Sequence, residues 1–97
     1  METLKQLENW YNSNCDGEWE HGYGISIGTL DNPGWTVEIN LLGTKNENVR
    51  FEFNNIERSE NDWIHCKVEG KIFRAACGSL NLKETLGIFL TWVNERT

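Results

Sequence analysis

Apolar positions along this chain change period twice. From Glu2 to Asn12, Leu4, Leu7, Trp10 and Tyr11 recur at three- and four-residue steps, which predicts a helix with one buried stripe, started by Glu2 or Thr3 and ended by Asn12, Ser13, Asn14 and Gly17. Residues 23–30 then place Tyr23, Ile25 and Ile27 on one side at period two. Residues 35–41 do the same with Trp35, Val37, Ile39 and Leu41, so each reads as a strand with one wet face.

Between these strands, Asn32, Pro33, Gly34 and Trp35 put proline at the second position of a turn. Glycine then falls at the third, where a type II turn needs a positive φ. A hairpin is expected, with Asp31 bonding backbone amides ahead of it.

Residues 49–55 alternate Val49, Phe51 and Phe53 with Arg50, Glu52 and Asn54, predicting a third strand after a turn-rich connection. Residues 63–68 set Ile64, Cys66 and Val68 against Trp63, His65 and Lys67. Residues 72–76 either continue that strand past Gly70 or form a short fifth one. From Ser79 the helical period returns. Leu82, Leu86, Phe89 and Val93 make one stripe, widened by Leu90 and Trp92 and running to about Glu95, with Ser79 or Asn81 as cap and Glu84 completing a capping-box pattern.

The order is helix, four or five strands, helix. With short turns this predicts an α+β fold: one domain over residues 1–97, an antiparallel meander of four to five strands, and both terminal helices packed on one face. The expected open face carries Thr36, Glu38, Asn40, Arg50, Glu52, Asn54, His65 and Lys67. No repeat, linker or low-complexity stretch interrupts the chain.

Composition narrows the function. At 97 residues there is room for one domain, and although only 38% of residues are apolar, five Trp, four Phe and two Tyr supply large buried areas. The formal net charge of −6, with no basic stripe, argues against nucleic acid as a partner and favours a basic protein. The start METLKQLENW has neither a basic beginning nor an apolar core segment, and no run approaches membrane-spanning length. A cytoplasmic protein without membrane contact is expected. Cys15, Cys66 and Cys77, odd in number and lacking a C-x-x-C pair, fit free thiols in a reducing compartment.

Three constellations carry chemistry. Glu18, Glu20, His21 and Asp31 are the kit of a metal or acid–base site, but without H-x-x-x-H or H-E-x-x-H spacing the simpler reading is that they bond loop backbone and one another. Cys77, ahead of Gly78, Ser79 and a helix start, is placed for a lowered pKa and a sulfurtransferase-like role. The following SLNLKET lacks the arginine and the run of amides such loops use. Trp63 on the open face, and Trp19 and Trp35 in the loops, are either core anchors or contacts for a partner. No catalytic residue, metal ligand or cofactor is assigned.

Two stretches of this sequence are distinctive: W-Y-x-x-x-C-D-G-x-W-E-H from Trp10 to His21, and G-I-x-I-x-T-L-D-N-P-G-W from Gly24 to Trp35. With the Phe89 to Trp92 end, they make the chain resemble the immunity protein 53 family of bacterial polymorphic toxin systems. The resemblance implies a non-enzymatic cytoplasmic antidote that binds a cognate toxin domain. Nuclease is the toxin class to which an acidic inhibitor is suited, and the expected state is a monomer or weak homodimer.

Carried onto this chain, the motifs point to Trp19, Glu20, His21, Asp31, Asn32 and Trp35 as partner-binding residues, with Glu38, Glu52 and Trp63 added from the open face. The two motif loops are expected to sit together at one end of the first hairpin. The alternatives are a small rhodanese-like sulfurtransferase using Cys77 and a generic interaction module.

Overall fold

The computed structural model describes residues 2–22 and 24–95, so Tyr23, expected to open the first strand, lies outside the described residues. Helix α1 spans Thr3–Asn14, the short helix α2 Trp19–Gly22 and helix α3 Leu82–Asn94. The strands are β1 Ile25–Leu30, β2 Gly34–Asn40, β3 Ile56–Ser59, β4 Asp62–Glu69 and β5 Ile72–Cys77. They form one antiparallel sheet in the order β1-β2-β5-β4-β3. This is the expected α+β architecture, with adjacent strands consecutive in sequence everywhere except where β2 meets β5. No helix among the described residues is long and apolar enough to cross a membrane.

Alternation decides the layers. Val37 and Ile39 of β2, Phe73, Ala75 and Cys77 of β5, and Ile64 and Cys66 of β4 point to one side and are buried. There they meet Leu86, Phe89, Leu90, Trp92 and Val93 of α3, with Leu7 and Trp10 of α1 completing the cluster. Rings fix the arrangement: Phe89 stands edge-on to Trp10 at 5.0 Å and beside Phe73 at 5.1 Å. Leu4, the first residue of the predicted α1 stripe, is instead exposed.

The expected strand over 49–55 is not a strand. Both edges of β2 are occupied, by β1 and β5, so the chain leaving β2 finds no hydrogen-bonding neighbour and runs across the core beside α3. Phe51 stands edge-on to Phe73 at 5.5 Å and to Trp92 at 5.1 Å, while the Trp92 indole N–H donates to the Arg50 carbonyl at 2.9 Å. Extended backbone alternates its side chains with or without a ladder. The pairing at the far edge is made by β3, whose sequence IERS has a single apolar residue.

Two turns carry the rest. Glu69 pairs with Ile72 across Gly70 and Lys71, which have φ of 60° and 64°, the left-handed pair of a two-residue hairpin, so β4 and β5 are separate strands. In the first hairpin Leu30 pairs with Gly34, leaving Asp31, Asn32 and Pro33 as the turn. Gly34 is therefore the first residue of β2 and lacks the positive φ expected of it. It is needed for space, because a Cβ there would overlap the Cys77 carbonyl oxygen of the neighbouring strand.

At α3, Asn81 occupies the cap position, but its side chain donates to Asp62 Oδ1 at 2.9 Å and makes no cap bond. Glu84 turns to Arg58 at 2.6 Å instead of closing a capping box.

Candidate partner-binding surface

The first motif builds a self-tied loop. Asp16 Oδ1 accepts the amides of Glu18 and Trp19, both at 2.9 Å, and the Glu20 carboxylate accepts those of Asp16 at 3.0 Å and Gly17 at 2.9 Å. Amide donation to the charged form holds both acids below the ordinary carboxylate range: chiefly from Trp19 and Glu18 for Asp16, and from its own backbone amide, then Asp16 and Gly17, for Glu20. The loop presses Trp19 inward. It is buried edge-on against Trp10 at 5.8 Å and beside Tyr11 at 5.5 Å. Trp19 and Glu20 thus hold the loop's shape, whereas His21 and Glu18 are exposed on it.

The two motif loops do not sit together. In the β1–β2 ladder Ile25 faces Ile39 at one end and Leu30 faces Gly34 at the other, so the 16–22 loop leads into the start of β1 while Asp31 and Asn32 project from its far end. Glu18, Glu20, His21 and Asp31 therefore form no single cluster, and no group of three or more potential metal ligands occurs among the described residues. Trp35 lies at the Asp31 end, half-buried on the core side, its indole N–H donating to the Ser79 carbonyl at 3.0 Å.

On the open face, Glu38 pairs with Arg74 across β2 and β5, Lys67 with Glu69 at 3.2 Å, and His65 Nε2 with Glu57 Oε2 at 2.7 Å. Trp63 lies against the His65 ring at 5.2 Å. A shallow depression of about 360 Å³, lined in part by Asn55, His65, Lys67, Arg74 and Ala76, occupies this face. Arg50, Glu52 and Asn54 are not part of it, because their segment is outside the sheet, and Glu52 is paired with Arg50 at 2.5 Å.

Sequence reasoning missed Arg74 and Glu57 on this face. Arg74 follows Phe73 in a short strand of unsettled extent, and Glu57 lies in the strand that went unpredicted.

Cys77 is the last residue of β5, ahead of α3 as expected but fully buried. Burial pushes its thiol up, against smaller opposing bonds from Thr85 and Trp35, and pushes Cys66 up to about 12. This is the reverse of an activated nucleophile.

Residues 4–94 match the model of immunity protein 53. The chain belongs to the immunity protein 53 family. No curated protein and no solved structure matches it. As an immunity protein, it has a toxin as its expected protein partner. The described surface of this family member carries a tied acidic loop, a hairpin turn bearing Asp31 and a charge-paired sheet face.

Proposed function

We propose that this chain binds a cognate polymorphic-toxin domain in the bacterial cytoplasm and neutralises it by occupying its surface, without chemistry of its own. The family match over residues 4–94 carries this reading. The burial and raised pKa of Cys66 and Cys77 support binding over thiol catalysis.

The toxin surface is basic, and a nuclease is the class that suits it, because a surface built to hold phosphate complements a chain of net charge −6. Contacts come from His21, Asp31 and Asn32, which are exposed, and from Glu38 and Trp63 on the open face. Trp19, Glu20 and Trp35 hold those contacts in place, and Glu52 adds charge from outside the sheet. The inhibitor acts as a monomer.

Titration of a catalytically inactive toxin domain into the purified chain tests this. A one-to-one complex whose association slows as salt rises is expected. Association indifferent to salt contradicts the basic-partner reading, and absence of a complex contradicts toxin binding.

A further inference from the structure

We propose that the outer edge of β1 receives a strand of the partner, a basic extended segment of the toxin domain that extends the sheet to six strands. This rests on the toxin-binding reading and gives it a geometry.

The two edges of the sheet are built differently. At the β3 edge the strand has four residues, carries Glu57 and Arg58, and shifts register between Glu57 and Ser59. Short length, charge and irregular pairing are devices that stop a sheet from adding strands. The β1 edge has none of them. Ile25, Ser26, Ile27, Gly28, Thr29 and Leu30 are uncharged, include no proline, and pair with β2 in unbroken register.

The backbone is presented for pairing. Gly24 accepts from the Asn40 amide at 3.0 Å, and an antiparallel ladder alternates, so Ile25, Ile27 and Thr29 turn their N–H and C=O groups away from β2. Side chains of these three residues lie on the face of Val37 and Ile39. There Ile27 is still 40% exposed, apolar area that an adjoining strand would cover.

Charge identifies the occupant. Asp16, Glu18 and Glu20 lie just before β1, with Gly22 only three residues, at most roughly 11 Å of chain, from Ile25. Asp31 follows directly at the other end. Pairing two copies antiparallel through β1 would set each copy's Asp31 toward the other's acidic loop, and parallel pairing would set like ends together. A second copy is therefore repelled, while a strand with Lys or Arg at its ends and apolar residues facing Ile27 fits.

The test uses the full chain with a catalytically inactive toxin domain. Amide exchange at Ile25, Ile27 and Thr29 should slow by at least about tenfold in the complex, and Ile27→Pro should weaken binding by a similar factor while keeping the native circular dichroism spectrum. Ile27→Lys serves if the proline variant does not fold.

Toxin binding with unchanged β1 exchange and undiminished affinity of both variants overturns the strand-addition proposal and leaves toxin binding standing. A dimer of the toxin-free chain that Ile27→Pro dissolves would assign this edge to a second copy and overturn it too. Failure of the wild-type chain to bind the toxin overturns the functional reading and this partner with it.

Discussion

Glu20 and Asp16 tie the same loop from opposite directions: each carboxylate accepts two backbone amides from the other's neighbourhood, one of them Asp16's own. Both are held below the ordinary carboxylate range by those amides. A depressed folded-state pKa gives stability that is present above the unfolded value and lost as pH falls through the folded one. The urea midpoint of the wild-type chain should therefore drop as pH falls from about 5 to 3. Glu20→Gln should be less stable than wild type at pH 7 and lose less on acidification. Equal acid sensitivity in the two proteins would contradict this role.

The thiols give a second prediction. Cys15 is half-buried with its Sγ donating to the Tyr11 carbonyl at 3.4 Å, whereas Cys66 and Cys77 are buried. Brief alkylation of the native protein, read by mass spectrometry, should label Cys15 alone, and the other two only on unfolding. Cys77→Ser should leave toxin protection unchanged. Rapid native labelling of Cys77 would revive the sulfurtransferase alternative.

Two glycines should respond in opposite directions to alanine. At Gly34 a Cβ meets backbone across the sheet and cannot be relieved by a side-chain rotation, so Gly34→Ala should cost about 1–3 kcal/mol. Gly87 lies inside α3 with nothing within 4 Å of an added Cβ, so Gly87→Ala should gain up to about 1 kcal/mol from helix propensity. Urea denaturation of both variants checks the contrast.

The difference between legible and illegible parts of this chain has a physical basis. Periodicity revealed α1, α3 and the inward faces of β2 and β4, because burial against a common core imposes it. It placed Trp10 and Trp92 in that core correctly. It could not separate Phe51 and Phe53, half-buried from an extended crossing, from residues buried in a ladder, since both alternate. The strand β3 was invisible because an edge strand succeeds by being short and charged.

Gly34 was seen as necessary, but for a turn angle; its close approach to Cys77 depends on β5, far along the chain. At the candidate site, local chemistry left open whether Trp19 turned inward or toward a partner; its packing against Trp10 decides that, and Asp31 is exposed. The separation of the two motif loops followed only from ladder register, and the pairing of Glu38 with Arg74 only from strand order.

The crossing segment offers its own check. Trp92→Phe keeps an aromatic ring against Phe51 and Phe89 but removes the indole N–H that satisfies the Arg50 carbonyl. A loss of about 1–2 kcal/mol is expected, with faster amide exchange along residues 49–55. Unchanged exchange there would mean that ring packing alone holds the crossing.

The most direct test of the central claim is co-expression of this chain with the toxin domain encoded beside its gene, scoring survival and co-purification in the same cells. Survival with a stable complex, weakened by Glu38→Lys or Asp31→Ala, is the predicted result. Survival without a complex, or death despite well-folded protein, would contradict neutralisation by binding.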